Sequence, residues 1–319
     1  MLPAAQAQSA PYSEAEDTRE SLVWLSKVRS AARRLDYTGV FVYQQGPQVR
    51  TSRITHLGKA RPPREKLEML DGQPRECIRN GDETICYMPD EKRLVVESRG
   101  SEKAFPHFPA ASPDQITPYY RVRKTASARV AGRDAQAIVL EPKDGLRYGY
   151  RLWVDKSSGL LLRAQTISEK GEVVEQIAFT QISIGTVPLS RVKASFKVTR
   201  GWRTENAVVS HLDLSRWAIK WMPGGFSQIH AVKRLLTDRP SDSSGSQREI
   251  AQLLYSDGLA GISIFIEPWS AQRSGTPVHL GAVNMVGKRH GGFWLTIVGE
   301  VPMVAIRQVA DSIELTATK

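Results

Sequence analysis

Residues 147–185 read RYGYRLWVDKSSGLLLRAQTISEKGEVVEQIAFTQISIG. Three apolar runs are separated by two short polar segments. Leu152-Trp153-Val154 leads into Asp155-Lys156-Ser157-Ser158-Gly159, and Leu160 to Ile167 returns. A second polar turn, Glu169-Lys170-Gly171-Glu172, leads into Val173 to Ile184. Glycine near each turn supplies the positive φ of a tight hairpin, and the flanks are rich in β-branched and aromatic residues, so the stretch predicts three antiparallel strands. Such a meander is not stable alone. The rest of the chain must supply more strands and something to cover their faces.

Upstream it does. Ser13-Glu14-Ala15-Glu16 and Asp17-Thr18-Arg19-Glu20 are both helix starts of the capping-box kind. A helix is predicted from there to about Leu35, with Leu22, Leu25, Val28, Ala32 and Leu35 on one face. Strand patterns follow at 37–43, 51–57, 65–70, 75–79, 84–88, 93–98, 120–130 and 136–141. Roughly eleven strands in sequential hairpins curl into a barrel or half-barrel. Strands such as Val40-Phe41-Val42-Tyr43 are apolar on both faces, which requires a cover on each side or a ligand in the concavity. The proline-rich segment Gly100 to Pro118, with Phe105, His107 and Phe108, is long enough to act as a lid, or to be an irregular connection.

Pattern weakens from Gly185 to Asn206, and a second unit begins near His211. It holds strands at 228–236, 250–255, 262–267, 278–286 and 293–298, a polar loop at 237–247, and a final helix opened by Pro302. The expected organisation is a leader remnant or disordered tail at 1–10, a half-barrel at 11–185, a linker at 186–210 and an α+β module at 211–319. The fold class is mainly β with some α: an unclosed antiparallel barrel with covering helices, and a smaller antiparallel sheet with a helix.

The 319 residues carry a formal net charge of +11, with 41% hydrophobic and 24% charged residues. That is ordinary globular composition, and no apolar run approaches the ~20 residues of a membrane-spanning helix. The charge favours acidic partners. Lys and Arg are spread along strands rather than gathered in a recognition module, which argues against nucleic acid. Ala5-Gln6-Ala7 fits a signal-peptidase site, although the basic and apolar regions that precede one are missing. Two cysteines support export. If Gly81-Asp82 turn the chain, Cys77 falls opposite Cys86, a register that allows a cross-strand disulfide.

No motif for catalysis is present. The six histidines are scattered without metal spacing, and Gly287 to Gly292 opens no helix that would cradle a phosphate. No cofactor is expected.

Several separate stretches, in order, carry a resemblance. They are Tyr37-Thr38-Gly39-Val40-Phe41-Val42-Tyr43, Gly149-Tyr150-Arg151-Leu152-Trp153-Val154-Asp155, Trp221-Met222-Pro223-Gly224-Gly225-Phe226 and Tyr255-Ser256-Asp257-Gly258-Leu259-Ala260, with residues 283–302 fitting the same pattern. Over nearly its whole length the chain resembles the RseB/MucB family of periplasmic sigma-E regulators. The resemblance implies an N-terminal domain similar to the lipoprotein carriers LolA and LolB. It also implies binding to the periplasmic part of a transmembrane anti-sigma factor of the RseA/MucA type, protection of that factor from the site-1 protease, and release by lipopolysaccharide or lipoprotein acyl chains. The expected compartment is the periplasm. Self-association into a homodimer stays open, as does the rival class, a lipid carrier of the LolA type without a regulatory partner. Candidate lipid-lining residues are Phe41, Tyr43, Tyr87, Tyr150 and Trp153. Candidate partner-binding residues are Trp217, Trp221, Phe226, Tyr255 and Trp294. Tyr150 and Trp153 have opposite parity, so one of them is expected to be core.

Overall fold

The computed structural model describes residues 14–98, 112–207, 209–211, 216–237, 247–271, 273 and 275–315. Residues 1–10, most of the candidate lid and most of the polar loop at 237–247 lie outside the described residues. Helix α1 (Glu14–Arg34) precedes strands β1 (Asp36–Gln45), β2 (Gln48–Leu57), β3 (Arg64–Met69), β4 (Glu76–Asn80), β5 (Glu83–Met88) and β6 (Arg93–Ser98). After a short helix α2 (Pro113–Ile116) come β7 (Tyr120–Val130), β8 (Arg133–Pro142), β9 (Gly149–Asp155), β10 (Leu161–Ile167), β11 (Val173–Ile184) and β12 (Arg203–Ala207).

These strands form one sheet in the order β12-β6-β5-β4-β3-β2-β1-β11-β10-β9-β8-β7. The eleven expected strands are present, but they are not one uninterrupted meander. β1 pairs antiparallel with β11, and β6 and β7 are separated by the width of the sheet. A hairpin rule sees only neighbours in sequence, and the β1–β11 pairing joins residues more than a hundred positions apart. The sheet is therefore two ladders joined at β1 and β11, open between its outer strands.

The opening stretch behaves as read. Gly159 (φ 77°) and Gly171 (φ 80°) make the two turns. In the first, the Asp155 carboxylate accepts from Ser157 Oγ (2.7 Å), the Ser158 N–H (2.8 Å) and both Arg133 donors (3.0 and 3.1 Å). Burial pushes this carboxyl up, but Arg133 and the two serines outweigh it and hold it at about 2. The concave face is filled by α1. Leu25 and Val28 pack with Tyr120, Val122, Ile138, Leu140, Tyr150 and Leu152, and Ala31 packs with Tyr37, Phe41, Ile54 and Phe179. Ile116 of α2 is 1% exposed and joins the first of these clusters.

The stretch read as a linker is held on the first sheet. A 3₁₀ turn at Leu189–Val192 buries Val192, and β12 adds a parallel strand beside β6. Beneath it, buried Lys66 pairs with Glu76 (2.8 Å) and donates to Ser195 Oγ (2.6 Å), while Glu76 accepts from the Ser195 N–H (2.7 Å). A buried lysine and a buried glutamate satisfy each other and clamp a passing backbone. The pattern of this segment is weak in the sequence because its anchors are polar rather than apolar.

The second unit is a seven-stranded sheet: β13 (Val209–His211), β15 (Ser227–Thr237), β16 (Gln247–Ser256), β17 (Gly261–Pro268), β18 (Val278–Leu280), β19 (Val283–His290) and β20 (Phe293–Gly299). A small ribbon pairs β14 (Trp217–Ile219) with β21 (Ile313–Leu315). Helix α3 (Met303–Asp311) buries Ala305, Ile306, Val309 and Ala310 against Ile262, Ile264, Leu295 and Ile297. One detail differs from the reading: residues 278–286, read as one strand, are β18 and the first part of β19, turning at Gly281 (φ 58°). Pro302, which opens α3, stands at its N-cap.

Cys77 and Cys86 are directly opposite in the β4–β5 register, bonded, with Cα atoms 4.0 Å apart. Replacing both by serine is expected to cost about 2–3 kcal/mol, the chain-entropy value for so short a loop. Denaturant titration of the oxidised protein against the double variant checks this. Equal midpoints would show that the hairpin register alone holds β4 and β5.

Candidate functional site at the seam of the two sheets

The two sheets meet through side chains taken out of water. Arg147, in the connection between β8 and β9, has a side chain with no solvent exposure. Its Nε donates to Asp144 Oδ1 (3.0 Å), its Nη1 to Asp257 Oδ2 (3.1 Å) and its Nη2 to the Gly224 carbonyl (2.8 Å). Asp257 and Gly224 belong to the second unit. The guanidinium also lies 4.6 Å from the Tyr119 ring centroid, with Tyr120 and Phe226 just beyond. Burial pulls the Arg147 pKa down, but the hydrogen bond to Asp144 and the nearby carboxylates raise it above its ordinary value, so it is a fixed cation.

The partners of Arg147 are prepared by local sequence. Asp257 Oδ1 accepts the N–H groups of Leu259 (2.9 Å) and Ala260 (2.8 Å), a side-chain turn that points the second oxygen at the arginine. Gly224-Gly225 must approach Tyr119 closely. A β-carbon on Gly224 would lie 2.8 Å from that ring, and one on Gly225 2.4 Å from it, at a φ of 84°. Apolar side chains cross the seam in both directions: Leu146 packs against the core of the second unit, and Leu259 against the α1-filled core of the first.

Two further contacts complete the seam. Buried Asn284 donates to Tyr148 Oη (2.9 Å) and to the Val301 carbonyl (2.8 Å). At the β1–β2 hairpin, Gln45 donates to the Leu280 carbonyl (3.2 Å). Beside it, Glu175 on β11 hydrogen-bonds the Tyr43 hydroxyl and faces Glu300 from the end of β20. Burial, and then the Glu300 charge, push the Glu175 carboxyl up to about 7, opposed by Tyr43.

The candidate lipid-lining residues are not gathered in one place. Phe41 (2% exposed) and Tyr43 face the α1-covered side within one cluster, and Tyr150 lies in the adjoining cluster. Trp153 points to the opposite face, packed near Val130, Ala135 and Leu162 under Arg163 (5.1 Å), as its parity required. Tyr87 meets Trp202 edge-on at 6.5 Å. Of the candidate partner-binding residues, Trp294 is 6% exposed. Trp217, Trp221, Phe226 and Tyr255 are half-buried against the core of the second unit. The seam residues Arg147, Tyr148, Asn284 and Glu175 were not singled out by the sequence. Gly224 and Asp257 were quoted as parts of patterns, without a role.

An unclosed sheet, antiparallel but for its last strand, covered by its own N-terminal helix and joined through a buried ionic seam to a small helix-covered sheet, defines a two-unit β protein of the half-barrel type. The chain belongs to the MucB/RseB family: the MucB/RseB N-terminal domain matches residues 20–198 and the MucB/RseB C-terminal domain matches residues 211–314. It is 30% identical to the sigma factor AlgU regulatory protein MucB of Pseudomonas aeruginosa, over 95% of this chain and 92% of that protein. It is 24% identical to the sigma-E factor regulatory protein RseB of Escherichia coli K12, over 96% and 94% of the two chains. Its structure is similar to that of MucB crystallised in complex with MucA(peri), with a TM-score of 0.71 and 29% identity over 93% of this chain and all of the other.

Two outcomes test the seam. Asp257→Ala leaves Arg147 buried with one carboxylate fewer and is expected to cost about 3–5 kcal/mol, read by chemical denaturation; a loss below about 1 kcal/mol would mean Asp144 suffices. Glu175 has a folded pKa raised above its ordinary value of 4.5, so its contribution is full below pH 4.5 and is lost as pH rises through about 7. Stability should fall over that window by about 2–3 kcal/mol, and Glu175→Gln should flatten the profile. An unchanged profile in the variant would assign the dependence elsewhere.

Proposed function

We propose that this protein is a periplasmic regulator of sigma-E-type envelope stress signalling, not an enzyme. In this reading it binds the periplasmic part of a transmembrane anti-sigma factor and shields it from site-1 proteolysis. The observation that carries the reading is the likeness of both sheets, over 93% of the chain, to MucB in complex with MucA(peri). The cross-strand disulfide supports an oxidising compartment. The net charge of +11 suits an acidic partner.

The proposed division of labour gives 11–185 the sensing role and 211–319 the anti-sigma-binding role, joined by 186–210. Release by a lipid-bearing signal works through the half-barrel. Acyl chains gain about 0.8 kcal/mol per buried CH₂, and the space they would enter on the concave face holds Leu25, Val28 and Ala31 of α1. Lipid entry on that face therefore displaces the apolar side of α1. Phe41, Tyr43 and Tyr150 face that side and are the proposed lining. The rigid seam would carry the displacement to the second unit as a shift between two states of different anti-sigma affinity.

The experiment is a binding titration of the full chain against the periplasmic fragment of the anti-sigma factor from the same organism, repeated with lipopolysaccharide. Saturable binding that protects the fragment from the site-1 protease, and weakens with lipopolysaccharide, is expected. Absence of binding by folded protein would overturn the regulatory reading. Binding unaffected by lipopolysaccharide would remove the release mechanism alone.

A further inference from the structure

The outer face of the half-barrel carries a concentration of positive charge that the seam does not use. On β7, β8 and β9, Val122, Leu140, Tyr150 and Leu152 pack on the side that α1 covers. The alternate residues of these strands therefore point to the other side of the sheet. The register sets them in rows. Arg121 lies opposite Glu141 of β8. Arg123, Val139 and Arg151 form the next row across β7, β8 and β9, which Gln165 of β10 continues. Ala137, Trp153 and Arg163 form the row after it. With strands about 4.8 Å apart and same-face rows about 7 Å apart, the four arginines share one patch roughly 15 Å across.

Glu141 is the one acidic residue in these rows. It accepts from Arg123 Nη2 (2.6 Å) and Nε (3.1 Å). Arg151 is exposed, and the Arg163 guanidinium lies 5.1 Å from the ring centroid of Trp153. Among the described residues no carboxylate pairs with Arg151 or Arg163. The patch also lacks an apolar anchor: none of the large apolar side chains left exposed among the described residues lies on β7 to β10. A peptide interface draws most of its energy from an aromatic or apolar residue seated in a pocket. This face offers charge without the pocket. A bilayer surface needs none, since its attraction for basic residues adds up over a cluster of about 4–8 Lys or Arg.

We propose that the outer face of β7 to β10 lies on an anionic phospholipid surface, with Arg121, Arg123, Arg151 and Arg163 against its phosphate layer. Guanidinium groups suit that layer because their N–H forks match phosphate oxygens. The contact is electrostatic and does not penetrate the bilayer. The assignment rests on the regulatory reading above, which sets the protein beside a membrane-anchored partner. Holding the chain at the bilayer raises its effective concentration around that partner. The concave face and α1 lie on the other side of the sheet and stay uncovered.

The test is co-sedimentation of the full chain with vesicles of mixed phosphatidylglycerol and phosphatidylcholine, against vesicles of phosphatidylcholine alone. Binding to the anionic vesicles only is expected. It should fall as ionic strength rises from ~0.01 M to ~0.15 M, which shortens the Debye length from about 30 Å to about 8 Å. Arg151→Gln and Arg163→Gln should each weaken it about fivefold, and the double variant about 30-fold. Lysine at both positions should retain most of the binding, because the charge is kept. Denaturation midpoints report folding, and the exposed Arg151→Gln carries the test should Arg163→Gln lose stability. Equal sedimentation with both kinds of vesicle, or double-variant binding within about twofold of wild type, overturns the proposal. A labelled periplasmic fragment of the anti-sigma factor, without vesicles, forms the second arm, and the double variant should bind it as wild type does. Fragment binding lost in the double variant while vesicle binding is kept would assign the face to an acidic peptide and overturn the membrane. Absence of fragment binding by wild type, with vesicle binding as expected, overturns the regulatory reading and leaves this face assigned.

Discussion

A guanidinium with no access to water has to be paired on every side, and Arg147 is paired by both sheets. Removing such a cation from water costs several kcal/mol, recovered only when carboxylates and carbonyls are placed to meet it. Asp144 comes from the same connection, but Asp257 and Gly224 arrive from the second unit. Each unit therefore completes a charge that the other could not leave alone. The exchange of Leu146 and Leu259 between the two cores adds an apolar component to the same dependence.

This makes the seam a joint with few intermediate positions. A buried ion pair is highly sensitive to distance, so a partial opening loses the pairing before it regains hydration. The carboxyl of Glu175 sits in the same joint with the opposite tendency, favouring its neutral form under burial and the Glu300 charge. One side of the joint is a satisfied charge and the other a frustrated one. Opening the joint would therefore cost the Arg147 pairing while relieving the Glu175 carboxyl.

The strands were legible because each carries its own alternation and turn chemistry. The three strands of 147–185, the disulfide register of Cys77 and Cys86, and the opposed faces of Tyr150 and Trp153 all follow from a period of two and a counted turn. The β1–β11 pairing and the parallel β12 were not legible, since no local rule links strands separated by other strands. Residues 186–210 read as a linker, and the anchors of that stretch were not legible because Lys66 and Glu76, which hold Ser195, look like ordinary surface charges in a sequence.

The candidate site divides in the same way. The sequence by itself determined the eleven strands β1 to β11, where two cysteines meet, that the chain carries two units, and which family it resembles, because periodicity, turn residues and ordered motifs are properties of neighbours along the chain. Only the tertiary structure decided that Arg147 meets Asp257 across 110 positions, that Gly224 and Gly225 are glycines because Tyr119 lies against them, and that Trp269 rather than Trp294 is open to solvent. The reason is physical. The free energy of a buried charge, a close backbone approach or an exposed ring depends on what packs around it, and those neighbours are chosen by the fold.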